Sequence, residues 1–334
     1  MKHLQTCIKS FFILVFCVVE VGSAQQNNTS VDVYELVENW PKFPKGFSIG
    51  QPSGLGMDSQ GNLIVFHRAN AVAGDTTLNK IQVNTLLKIN AETGEVIKEW
   101  GANLFCWPHG LTVDKDDNIW ITDVLLHQVF KFDAEGNLLF TLGEEGIPGA
   151  DKNHFNKPTD VAIAEDGSFY VGDGYGNSRI VKFSAAGDYI FEWGEKGTGK
   201  GQFNTPHSLD IDKDGNVVVA DRDNFRIQIF SAEGKFLEEK RNLDDAQVHA
   251  VNVDQNNNAL FSVDYLKKGS QIFGSNINKF NNELKIDHQW GRDGDYNGPV
   301  CRYHDIEIGS DGAIYVVDLL NYHIQKFKRI NNTD

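Results

Sequence analysis

One repeated segment constrains this chain more than any other feature. Three stretches set the pattern: Pro108-His-Gly-Leu-Thr-Val-Asp114, Pro158-Thr-Asp-Val-Ala-Ile-Ala164 and Pro206-His-Ser-Leu-Asp-Ile-Asp212. Each is followed by a polar turn, at Asp117-Asn118, Asp166-Gly167 and Asp214-Gly215. An apolar run comes next, at Ile119–Thr122, Phe169–Val171 and Val217–Ala220, with Asp123, Asp173 and Asp221 shortly after. A third run closes on Lys-Phe or Ile-Phe; a glycine turn and a last run follow. The same register starts at Pro52, Val248 and Tyr303, which gives six units spaced by about 50 residues. Short apolar runs separated by turn residues read as antiparallel strands. Six four-stranded units in succession predict an all-β, six-bladed β-propeller over residues 51–328.

The ends of the pattern bear on closure. The sixth unit stops at Phe327, after its third strand. Within the N-terminal segment 25–50, Val33–Trp40 carries Glu38-Asn-Trp40, similar to Glu192-Trp193-Gly194 at the end of another unit. It is expected to supply the missing outer strand and remove an open edge. Residues 329–334 form a polar tail. Ahead of the fold, Lys2 and Lys9 precede the apolar run Phe11–Val19, and Gly22, Ser23 and Ala24 follow. That is the layout of a cleaved secretory signal over residues 1–24, too short to span a bilayer. A secreted or periplasmic protein is expected.

The net charge is −15, or about −16 once Lys2, Lys9 and Glu20 leave with the signal. Such a surface excludes a nucleic-acid partner, which needs a basic patch, and disfavours anionic membranes. Of four cysteines, Cys106 and Cys301 remain after cleavage, so the fold does not depend on disulfides, though one bridge is permitted. Nothing signals an oligomer, and a monomer is the default.

One position in each unit stands out. After the opening residue come Ser53, His109, Thr159, His207, His249 and His304 in units one to six. This position begins the innermost strand and should face the central axis. His109, His207 and His304 lie in alternate units, so their imidazoles stand about 120° apart. Three histidines with an open fourth position suit a catalytic zinc, and imidazole also suits other first-row metals. Taken singly, each histidine could instead be a packing residue satisfied by backbone. His249 breaks the alternation and reads as a neighbour of the site. Arg68, Arg222 and Tyr175 fall at the same rim. Arginine grips carboxylates in a two-pronged fashion, and a tyrosine near metal and guanidinium groups can act as a base. The plainer alternative pairs Arg222 with Asp221 and leaves Tyr175 as a loop aromatic. Asp123, Asp173, Asp221, Asp264 and Asp318 recur in register and read as turn-bonding residues.

The units resemble NHL repeats. Beyond the repeat, Phe66-His-Arg68, Leu104 to Leu111, Thr122 to Phe130, Gly172 to Arg179, Pro206-His-Ser-Leu209 and Ala220-Asp-Arg222 are similar to the peptidyl-α-hydroxyglycine α-amidating lyases, from about Gly50 to Phe327. The resemblance implies a zinc-dependent lyase that cleaves a hydroxyglycine-extended peptide, or a related small carbinolamide, to a peptide amide and glyoxylate. It implies zinc on His109, His207 and His304, with Tyr175 as the base. Arg68 and Arg222 would hold the substrate carboxylate. It also implies a structural calcium on the carbonyls of Leu55 and Leu111 and the carboxylate of Asp305, oxygen ligands suited to a hard cation. The family's paired cysteines are replaced, by Asn156 and Gly176 at one pair and by Val218 and Ile229 at about the other. Arg302-Tyr303 precedes His304 where the family has Pro. The chain has no room for the companion hydroxylating domain, so a separate monooxygenase is expected to supply substrate. Two other readings stay open at this point: a non-enzymatic NHL binding module, and a lactonase-like metal hydrolase on the same fold.

Overall fold

The structure is a computed structural model that describes residues 33–71, 74, 76–241, 245–292 and 299–330. The leader-like segment 1–24 and the polar tail's last four residues lie outside these. Among the described residues no helix is long and apolar enough to cross a membrane.

Six antiparallel sheets follow one another along the chain, as the repeat requires. The first blade runs Pro52–Met57, Asn62–His67, Leu86–Asn90 and Val96–Trp100, in spatial order. The second, third and fourth start at Pro108, Asp160 and Pro206 and are built the same way. The fifth, from Gln247, carries an added hairpin strand, Gln271–Gly274, on its long second strand. The polar turns are closed by aspartate: the Asp114 carboxylate accepts from the amides of Asp116 and Asn118, and Asp212 from those of Asp214 and Asn216. This local bonding sets where the first strand turns into the second.

Closure follows the expected route. Val33–Leu36 pairs antiparallel with His323–Ile330 and forms the outer strand of the sixth blade. Trp40 lies beyond that strand, and its ring covers Gly94 in the outer turn of blade one. Trp100 covers Gly136 and Trp193 covers Gly234 in the same manner, so Trp40 does for the closing strand what those residues do elsewhere.

The core is not central. It is divided into six clusters, each between neighbouring blades. Phe66 and Leu86 of blade one meet Ile121 and Phe130 of blade two, for example. The sixth cluster joins Leu63 and Val65 of blade one to Tyr315 and Val317 of blade six. A strand buried on both faces explains the continuous apolar runs that lack alternation.

Near the axis the innermost strands converge and side chains must shrink. A Cβ on Gly54 would stand 2.8 Å from both the backbone nitrogen and the Cβ of Leu111. Gly54→Ala should therefore destabilise the fold by about 1–3 kcal/mol through overpacking. A lowered urea midpoint at unchanged slope would show it; an unchanged midpoint would mean the strands have room to part.

Candidate metal centre

The histidine position is a β-bulge. Pro206 pairs with Asp221 and Ser208 with Ala220, which leaves His207 as the extra residue. His304, His249 and Ser53 are left over in the same way, and His109 with Gly110 in blade two. A bulge turns the extra side chain out of the sheet's alternation. Here it turns toward the axis. His109, His207 and His304 converge there, with ligand nitrogens all within 4.8 Å of one another. Their ring centroids are 4.7, 4.7 and 4.9 Å apart.

Each ring is fixed by its other nitrogen. His109 Nδ1 lies 2.6 Å from the Thr159 carbonyl, His207 Nδ1 2.6 Å from the His249 carbonyl, and His304 Nδ1 2.7 Å from the Ser53 carbonyl. A carbonyl only accepts, so Nδ1 carries the proton and the Nε2 lone pair faces the axis. Burial pushes the His109 pKa down to about 3, helped by the charges of Arg68 and Arg222. Burial also holds His207 and His304 well below the usual range. Three neutral, pre-oriented imidazoles are a donor set that fits zinc or another first-row cation.

These bonds are half of a belt. Arg68 Nε donates to the Pro108 carbonyl at 3.1 Å, Thr159 Oγ1 to that of Pro206 at 2.7 Å, and His249 Nδ1 to that of Tyr303 at 2.7 Å. Together the six bonds link each blade to the next, all the way around. Odd blades reach the carbonyl one residue earlier than even blades do. That shift explains His249. Its ring lies against His207, at 5.4 Å between centroids, and its carbonyl orients His207, but it is not one of the three converging ligands.

Tyr175 and the arginines reach the same rim. The Tyr175 hydroxyl is 2.9 Å from Nε2 of both His109 and His207. Arg222 NH1 donates to that hydroxyl at 3.1 Å. The remaining Arg222 nitrogens, Nε and NH2, bind the Asp223 carboxylate, which Thr205 and Gln247 hold in turn. Arg222 thus pairs with Asp223 and not with Asp221, whose partner is the buried Arg226 at 2.7 Å. Arg68 is buried over the Trp107 ring and donates through NH1 to Gln51 Oε1. Burial pushes its pKa down to about 10; Tyr175 pulls it up, and the nearby charge of Arg302 pushes it down again.

The recurring aspartates are turn-bonding groups, as their register implies: Asp123 alone accepts from the amides of Cys106, Trp107, Leu125 and Leu126. Cys106 and Cys301 are buried in separate core clusters and are not bridged to each other. The positions without the family's cysteines do adjoin: Gly176 bonds Asn156 through backbone, and Val218 faces Ile229 across two strands. Sequence reasoning missed Asp223, Trp107 and Gln51, which hold the arginines. Only the adjacency of Arg222 and Asp223 hinted at one of them.

One residue along the strand from His304, Asp305 accepts the Leu55 amide at 2.8 Å, which brings two of the three residues of the oxygen site together. Asp160 and Asp210 make matching bonds to Leu209 and Val253. Burial raises Asp160 and Asp210 to about 7, and raises Asp305 well above its usual range with Asp160 adding to it. Further along, beyond Asp210, the strands open into a funnel of about 790 Å³ lined by Asp58, Asp114, Asp210 and Glu307 among others.

Comparisons with known proteins agree with this geometry. A family model described as a 6-bladed beta-propeller matches residues 148–301, and an NHL repeat model matches 105–132. The peptidyl-alpha-hydroxyglycine alpha-amidating lyase 1 of Drosophila melanogaster is 32% identical over 350 residues, covering 92% of this chain and 61% of that protein. The chain is a homologue of the peptidyl-α-hydroxyglycine α-amidating lyases. The peptidyl-glycine alpha-amidating monooxygenase B of Xenopus laevis is 38% identical over 312 residues, 86% of this chain but only 35% of that one. Among solved structures, a streptogramin B lyase matches with a TM-score of 0.58 at 15% identity, over 90% of this chain and 98% of that one. A gluconolactonase of Xanthomonas campestris also matches at 0.58, with 12% identity over 85% and 87%. Both likenesses concern the fold alone.

The lowered histidine pKa values carry a consequence. Free imidazoles lose metal to protons as pH falls below about 6.5. Here burial holds all three imidazoles well below that range, so zinc or cobalt affinity should stay flat from pH 8 to pH 5. Titration with cobalt, followed by its visible spectrum, checks this. His207→Ala should lose the bound ion, and His249→Ala should keep it.

Proposed function

We propose that this protein is a metal-dependent lyase that cleaves the C–N bond of a peptidyl-α-hydroxyglycine, releasing a peptide amide and glyoxylate. One observation carries this reading: a tyrosine hydroxyl lies 2.9 Å from two of three imidazoles that aim at one point, with a guanidinium bonded to the same hydroxyl. The names of the homologues support it. A binding module has no use for that constellation, and a lactonase-like hydrolase calls for carboxylates where this rim presents histidines.

The substrate carbon bears a hydroxyl, a carboxylate and the amide nitrogen. Cleavage removes the hydroxyl proton, turns C–O into C=O, and expels the nitrogen, which takes up a proton. No water and no electrons are consumed. Tyr175 is placed to accept the hydroxyl proton and to return it to the leaving nitrogen. To accept that proton Tyr175 must start as the phenolate, a form whose oxygen Arg222 Nη1 faces as a charge-assisted donor. Since Asp223 occupies the rest of Arg222, the grip on the substrate carboxylate falls chiefly to Arg68. A zinc ion on His109, His207 and His304 would supply Lewis-acid activation of the substrate hydroxyl. A cleft of about 770 Å³ lined by Gln51, His67, Asn70 and Tyr322 adjoins Arg68 and gives room for the peptidyl part. Such a substrate requires a hydroxylating monooxygenase activity, and the leader-like segment supports a secreted or periplasmic setting.

Calcium is the second ion we infer, held by Asp305 and the carbonyls of Leu55 and Leu111. Its effect should depend on pH in a defined direction. Burial raises the Asp305 carboxyl well above its usual range, so protons compete with a cation there as pH falls. Calcium should therefore raise Tm more at pH 8 than at pH 5, read by thermal melts with and without chelator. An equal rise at both would sink the assignment.

The activity itself is tested with α-hydroxyhippurate. Glyoxylate release should disappear with chelator and return with zinc. Tyr175→Phe should lower kcat by about 10²–10³-fold with metal content unchanged. No release above the uncatalysed rate by metal-loaded protein would refute the lyase.

A further inference from the structure

The rim carries a third guanidinium that the proposed reaction does not use. Arg302 stacks over the Tyr265 ring at 5.0 Å, Tyr265 over His249 at 5.8 Å, and His249 over His207 at 5.4 Å. This ladder runs from the metal centre to Arg302 on the side away from Tyr175. Arg302 is also close enough to Arg68 for their like charges to repel. Its backbone is fixed at both ends, the amide by Asp318 and the carbonyl by Leu319. Its side chain is not: among the described residues the guanidinium meets no acceptor, and its Nε is shielded from solvent with no partner. Every other arginine of the inner strands' ends is engaged. Arg222 holds Asp223, while Arg179, Arg226 and Arg292 hold Asp173, Asp221 and Asp264.

A half-buried guanidinium with a shielded, unpaired donor beside another cation is short of an anion. The proposed substrate brings one carboxylate, and Arg68 is placed for it. Of the groups on the reacting carbon, only the acyl residue on the amide nitrogen varies between substrates. We propose that Arg302 is a specificity residue that receives an acidic side chain on the residue preceding hydroxyglycine. The inference rests on the lyase reading for the identity of the substrate, but not for the binding of the anion. Tyr265 and His249 give the acyl residue an aromatic wall, and Arg302 gives its carboxylate a planar two-pronged donor.

The test compares isosteric ligands. Zinc-loaded protein is titrated by calorimetry with N-acetyl-Asp-Gly and N-acetyl-Asn-Gly, which lack the hydroxyl and do not react. N-acetyl-Asp-Gly should bind about tenfold tighter, as expected for one charge-assisted contact. Arg302→Gln should bring the ratio to about one, and Arg302→Lys should keep part of it. The corresponding hydroxyglycine compounds are then assayed for glyoxylate release, where kcat/KM should show the same ratio. Equal affinity for the two glycine ligands in the unaltered protein overturns the role of Arg302. An Asp preference in binding with no turnover of either hydroxyglycine compound leaves Arg302 standing and overturns the lyase.

Discussion

Six hydrogen bonds around the axis join each blade to the next, and the metal centre is a by-product of three of them. A carbonyl oxygen can only accept, so the imidazole that reaches one must present its protonated nitrogen. The other nitrogen is then left as a lone pair on the axis. The belt therefore sets tautomer, ring plane and ligand direction together. It also ties the site to closure of the ring. His304 bonds the carbonyl of Ser53, 251 positions away in sequence. That bond exists only if blade six meets blade one, which in turn depends on Val33–Leu36 and on the core cluster around Leu63 and Tyr315.

The belt further explains why the even blades carry ligands. Their side chains bond the carbonyl of the equivalent residue in the next blade, while Thr159 and His249 bond the carbonyl before it. Residue type alone does not make a ligand. His249 sits at the same bulge as His207 and is as deeply buried, yet it is directed elsewhere by one residue of register.

Much of this was legible in the repeat. Blade number, the closing strand and the convergence of His109, His207 and His304 follow from register, because a fixed repeat maps equal positions onto equal places around an axis. Tyr175 and both arginines were legible for the same reason. The bulges were not, since an extra residue in one strand shows only against its partner strand. Nor was the pairing of Arg222, because Asp221 and Asp223 flank it equally in sequence. The aspartate at Asp221 is consumed by Arg226 five residues on, a cross-strand contact that no local spacing announces. Arg302 was named only as the neighbour of Tyr303, which stands where the family has Pro; its lack of an acceptor among the described residues is a property of what surrounds it.

The axis is electrically polar. Arg68, Arg222 and Arg302 gather around neutral imidazoles at the rim, and Asp160, Asp210, Asp305 and Glu307 follow along the innermost strands. Asp305 directly follows His304, and Asp210 lies three residues beyond His207, about 10 Å along the strand. Donor type, not distance, distinguishes the two groups. Nitrogen donors that stay unprotonated favour a borderline transition metal and reject hard cations, and carboxylates and carbonyls do the reverse. An acidic funnel would repel an anion that the arginine rim would attract. The alternation of donor types that the repeat register imposes would thus let one channel sort hard from borderline cations with no moving part.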